Sequence, residues 1–194
     1  MIRSITNGLG KIASLRVIGI FLLLFIVSVT VINGKPYGVA QLNAITGGAG
    51  IPDMEMTGYS PQRAYDILTA QGEAGRAFYL HFIVPQDFPF PLIYSLFYAV
   101  TLIYLAQKLF PNNPQLQQIG LMGLCAGLAD WGENLCLITL LLNYPQRLDA
   151  VAMVACVFTI IKAILTLLNM VIILAGVSWM LVGFVRGKIQ GHTK

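Results

Sequence analysis

Apolar residues run through this chain in long blocks, without the alternation of a half-buried strand or the single stripe of a soluble amphipathic helix. Four blocks reach or approach the ~20 residues needed to cross roughly 30 Å of hydrocarbon: residues 15–33, 92–110, 119–142 and 150–185. The pattern predicts an all-α integral membrane four-helix bundle, a single membrane domain over residues 1–194. At ~1.5 Å per residue the last block would extend about 54 Å, so it should tilt, kink near Gly176 or project from the bilayer.

Between the first two spans lies an external loop, residues 34–91, with its own signals. Gly47, Gly48, Gly50 and Pro52 read as a flexible connection. Ser60-Pro61 reads as an N-cap and first helical residue, with Gly72 as the stop, which predicts a short helix over 61–70. A second short helix is expected from Glu73 to Val84, ending before Pro85. Its aromatic residues suit a helix lying at the interface or capping the bundle. Asp87, before Phe88-Pro89-Phe90-Pro91, sits where a helix dipole favours an acid, or at the mouth of a site.

Composition excludes an ordinary soluble domain: 57% of residues are apolar and 10% charged, against a usual ~25% charged. Basic residues orient the spans. Arg3, Lys11 and Arg16 open the first, Lys108 lies between the second and third, and Arg186, Lys188 and Lys194 follow the fourth. Three basic segments that must share one side predict a multi-pass protein of the cell's inner membrane with both termini cytoplasmic. The net charge of +4 is then a topology signal, and nucleic acid is not an expected partner. The basic start with Gly38 and Ala40 also fits a secretory signal cleaved before Gln41, but the apolar core is long and Lys35-Pro36 intervenes. A mitochondrial presequence is the other targeting alternative, since no acid precedes Asp53; an apolar span so close behind argues against it.

The chemistry-bearing residues lie inside the apolar blocks. Asp130, Glu133 and Asn134 interrupt the third, where each ionisable group costs about 2.5 to 3.5 kcal/mol to insert, so a functional site is the default reading. At 100° per residue, Gly120, Gly123, Gly127, Asp130 and Asn134 share one face within about 80°, and Glu133 lies about 60° to the side of Asp130. The fourth block places Thr159, Lys162, Thr166 and Asn169 on one face, and the second places Tyr94, Tyr98 and Thr101 together. Three polar stripes predict a common polar interior. Asp130 is 12 residues before Leu142 and Lys162 is 12 residues after Ala150, so the two antiparallel helices should hold them at similar depth. Lys162 therefore pairs with Asp130 or Glu133. Two acids against one base leave a charge to be met by a proton, by Arg76, by a metal or by a ligand.

Other chemistry finds little support. Cys125, Cys136 and Cys156 fall within spans with no C-x-x-C, as small packing residues do. No H-E-x-x-H, G-x-S-x-G or G-x-x-x-x-G-K-[ST] occurs, so no resident metal or cofactor is assigned. His81 reads as a packing or hydrogen-bonding residue and His192 as part of a solvated tail. Gly75-Arg76-x-x-Tyr79, Asp87 before a Pro-rich stretch, Asp130-x-x-Glu133-Asn134 and Thr159-x-x-Lys162 together resemble uncharacterised bacterial four-span membrane proteins with D-x-x-E-N in the third span. The resemblance covers about residues 75–162 and implies the four-span fold but no activity.

Binding or translocation of a small polar or amphipathic ligand is the first functional expectation, because polar stripes under a capping helix describe a cavity open toward the outer leaflet. The candidate ligand residues are Asp130, Glu133, Asn134, Lys162, Thr159, Thr166, Asn169, Asp87, Arg76, Tyr94 and Tyr98. One alternative is a structural or assembly subunit whose buried ion pair specifies geometry. The other is an intramembrane enzyme acting on a lipid or isoprenoid head group with Asp130 and Glu133 as acid and base. The lipid bilayer is the expected surround. A pathway through so narrow a bundle would require a homodimer or a partner membrane subunit.

Overall fold

The computed structural model describes the backbone of residues 2–191 and the side chains of residues 3–186, and every regular element among them is helical. The chain opens with α1 (Ile2–Ile12), whose Thr6 is buried while Arg3, Asn7 and Lys11 are exposed. The Gln107 amide donates to the Gly10 carbonyl at 3.0 Å and pins it. Ser14 breaks the run, its hydroxyl accepting from the Val17 amide at 3.4 Å, and starts α2 (Leu15–Asn33). The basic, polar N-terminus is thus a separate amphipathic helix, and Ser14 was the signal for it.

After α3 (Val39–Thr46) the chain turns inward. Gly47, Gly48 and Gly50 all have positive φ, a backbone geometry that side chains resist. They direct Ile51 and Pro52 into a buried position, followed by a 3₁₀ turn over Pro52–Met54. Gly58, also at positive φ, lies against Ile160: a Cβ there would be 2.9 Å from its Cδ1. The expected flexible connection is therefore a packed insertion, because its apolar residues gain burial against the last helix.

Ser60 and Pro61 start α4 (Pro61–Ala70), the Ser60 hydroxyl accepting from the Arg63 amide at 3.1 Å. Gly72 has φ +64 and begins α5 (Gly72–Phe78). The helix expected to stop before Pro85 continues. A π-helical turn over Tyr79–Ile83, in which the Val84 amide donates to the Tyr79 carbonyl, widens the spiral just ahead of Pro85. This relieves the clash that a proline ring makes with the carbonyl four residues earlier, and α6 (Val84–Asp87) follows. Then comes α7 (Phe90–Leu109), which has no side-chain cap, so Asp87 does not serve as one. A second 3₁₀ segment, Pro114–Gly120, leads into α8 (Leu121–Asn143) and finally α9 (Asp149–Gly191).

Among the described residues, four helical stretches are long and apolar enough to cross a membrane: Leu15–Asn33, Gly72–Leu109, Pro114–Asn143 and Asp149–Arg186. Such a set is that of a multi-pass membrane protein. The 43 residues of α9 form one continuous helix, about 65 Å at ~1.5 Å per residue, and Gly176 lets Leu105 of α7 approach, to 3.0 Å from where a Cβ would stand.

Close packing concentrates on α8, which touches both α7 and α9. The small face read from the sequence meets α7. A Cβ at Gly123 would lie 2.7 Å from the Ala99 amide nitrogen, and one at Gly127 2.8 Å from the Pro91 carbonyl, so backbones touch where the glycines stand. A core of Leu42, Leu68, Tyr79, Ile83, Leu137 and Leu140 fills one end beneath the short helices. In contrast α2 buries no residue and holds to α7 through Phe25, stacked on Phe90 and Phe97.

Candidate functional site

The polar faces of α8 and α9 meet near the middle of α8 and in the first third of α9. The Lys162 ammonium lies 2.5 Å from Glu133 Oε2 and 3.2 Å from Asp130 Oδ1, as the matched depths require. Thr159, one turn before Lys162, donates its hydroxyl to Glu133 Oε1 at 2.5 Å. Glu133 is fully buried, with Oε1 hydrogen-bonded and Oε2 held by the ion contact to Lys162, which offsets the cost of placing a carboxylate among apolar helices.

A third acid joins from outside the two helices. The inward-turned segment carries Asp53, whose Oδ2 is 3.6 Å from the Lys162 ammonium. From the sequence alone this residue reads as part of the external loop, with no sign of a role. The available signal was an acid directly after Ile51-Pro52, two residues with every reason to seek burial. The same segment is tied to α9 by the Tyr59 amide, which donates to Cys156 Sγ at 3.2 Å. Tyr59 is itself buried, and that burial pushes its hydroxyl above the ordinary tyrosine range.

Asn134, one turn along from Asp130, donates to the Asp87 carbonyl at 3.4 Å, and the Trp131 indole donates to the Phe88 carbonyl at 2.8 Å. These two bonds satisfy carbonyls freed where α6 gives way to α7 and hold Asp87 beside the cluster. Asp87 forms no ion pair among the described residues. Tyr94 donates its hydroxyl to the Ala126 carbonyl at 3.0 Å across the α7–α8 contact. Tyr98 is buried, and its hydroxyl has no hydrogen-bond partner among the described residues.

These groups form one wall of a cavity of about 730 Å³ between α2 and α9. Asp53, Asp87, Asp130, Lys162, Tyr94 and Tyr98 line it on the polar side, with Thr166 beside them. Phe25 and Ile32 of α2, Val39 of α3, and Ile164, Leu167 and Met170 of α9 supply apolar walls. The last three are more than half exposed, so the cavity reaches the outer surface of α9 between two helices.

Other residues expected in the site stand elsewhere. Arg76 donates to the Leu68 carbonyl at 2.8 Å and lies 3.8 Å over the Tyr144 ring, which removes it as the missing cation. Asn169 is buried and donates to the Leu165 carbonyl within its own helix, away from the cavity wall. Thr159 and Glu133 stand behind Lys162. His81 is exposed, and His192 lies outside the described residues. No group of three or more His, Cys, Asp or Glu side chains among the described residues is arranged to hold a metal ion. The three cysteines are unpaired thiols. Compared with known protein families, curated proteins and solved structures, the chain matches none.

Proposed function

We propose that this protein binds a small amphipathic ligand, with the polar end of the ligand at the cluster around Lys162 and its apolar part between α2 and α9. The cavity carries this reading: it is the size of a small-molecule site, mostly apolar, with a few charged groups converging on one wall. The lateral opening suits a ligand that arrives from the lipid phase. The basic residues before the first span, at Lys108 and after the fourth span support an orientation with both termini cytoplasmic, in which the cavity lies in the outer half of an inner membrane. The short helices α3 to α5 then cover the bundle on its external side.

The competing scaffold reading draws on the engaged state of Glu133, Thr159 and Lys162, which need no ligand to be satisfied. Ala163 separates the two. It lines the cavity but takes no part in the ion network, so Ala163→Trp should fill the cavity and leave the cluster intact. Native mass spectrometry of protein extracted from its own membrane should show a retained small molecule in the wild type and its loss in Ala163→Trp at equal melting temperature. Wild-type protein that carries nothing, and binds nothing offered to it, would sink the ligand reading in favour of the scaffold.

A further inference from the structure

The charge of the cavity wall is not the charge of the cluster. Glu133 contacts the Lys162 ammonium at 2.5 Å, is wholly buried and does not reach the cavity. It cancels the lysine from behind. What faces the cavity is then three aspartates, Asp53, Asp87 and Asp130, against an ammonium whose charge is already matched. Among the described residues Asp87 has no ion-pair partner, and Asp53 makes the longest of the lysine contacts, at 3.6 Å. An anionic head group is repelled by the charged form of these carboxyls and gains nothing from them, whereas a cation draws them into that form, and a low-dielectric space enlarges the difference.

A second feature is independent of charge. Four aromatic rings line the same cavity in a connected series: Phe25 to Phe90 at 5.8 Å between centroids, Phe90 to Tyr94 at 5.1 Å, and Tyr94 to Tyr98 at 5.8 Å. Their faces attract cations, and aromatic walls are the standard recognition device for substituted ammonium groups. Tyr98, a buried residue that lines the cavity, adds a hydroxyl with no hydrogen-bond partner among the described residues, a group left for a ligand to satisfy.

Resting on the ligand-binding reading above, we infer that the ligand is an amphipathic organic cation, an amine or quaternary ammonium with an apolar tail. Its head sits between the aspartate wall and the aromatic series; its tail extends along Ile164, Leu167 and Met170 toward the bilayer.

The test uses the full chain in nanodiscs of neutral lipid and three radiolabelled probes with the same alkyl tail: an alkyltrimethylammonium, the alkanoate and the alcohol. The ammonium should bind saturably and at least about tenfold more tightly than either of the others. Asp53→Asn and Asp87→Asn should each weaken the ammonium by about tenfold and leave the alcohol unchanged, since one charge–charge contact is lost and no apolar surface. Phe25→Leu should weaken the ammonium selectively while the rest of the wall remains. Equal binding of all three probes, or a preference for the alkanoate, would overturn the cation inference and leave an amphipathic site standing. Absence of saturable binding by any probe would overturn both. Because the wild-type preference is itself decisive, a variant that fails to fold does not protect the proposal.

Discussion

At the residue scale the decisive unit is Lys162. It is buried with three acids around it, and removing it leaves all three without an ion-pair partner among the described residues. Breaking such a buried pair costs about 3 to 5 kcal/mol, so Lys162→Met should sharply lower folded yield and melting temperature. Adding Glu133→Gln should recover part of the loss, with a coupling of about 0.5 to 3 kcal/mol in a double-mutant cycle. Strictly additive losses would show that the two charges do not interact. Thr159→Val should cost about 1 to 3 kcal/mol by leaving Glu133 Oε1 buried without its donor. The same cycle with Asn169→Ala should show no coupling to Lys162, because among the described residues Asn169 hydrogen-bonds only within its own helix.

At the element scale, glycine positions decide how near the helices come. Gly123 and Gly127 face backbone atoms of α7 at distances no Cβ tolerates, whereas Gly19 on α2 has open space around it. Gly127→Ala should therefore destabilise by about 1 to 3 kcal/mol through overpacking. Gly19→Ala should be neutral or stabilising by up to about 1 kcal/mol, as for any exposed helical glycine. Melting of both variants in one detergent checks this, and equal effects would mean that α7 and α8 do not pack through the glycine face. The face itself was legible in the sequence as small residues at helical spacing. The π turn before Pro85 was not. A proline advertises a helix end, and only the packing of Tyr79 and Ile83 into the core shows that a widened turn stabilises the alternative.

For the whole molecule, an even number of crossings returns the two termini to one side. In a background lacking the native cysteines, Asn112→Cys should be labelled from the cytoplasmic face and Asp149→Cys from the external face by a membrane-impermeant thiol reagent. Labelling of Asn112→Cys from outside would invert the proposed topology and move the cavity to the cytoplasmic leaflet. Asp53→Cys, near the centre of the assembly, should label slowly, since its segment is folded against α9 and Asp53 is largely covered. Labelling of Asp53→Cys as fast as Asp149→Cys would show that the segment spends much of its time outside.

Apolar block length and the angular spacing of polar residues were sufficient to indicate four long helices, the glycine face of α8 and the meeting of Lys162 with Asp130 and Glu133. Each is a property of a helix taken alone or of two antiparallel neighbours joined by a short turn, where depth follows from counting residues. Only tertiary structure decided that Asp53 completes the cluster, that Arg76 turns away to Tyr144, and that the aromatic rings of α2 and α7 share a wall with three aspartates. Those relations depend on how a glycine-rich segment folds back and on the gap left between α2 and α9. Periodicity along a single helix carries no information about either.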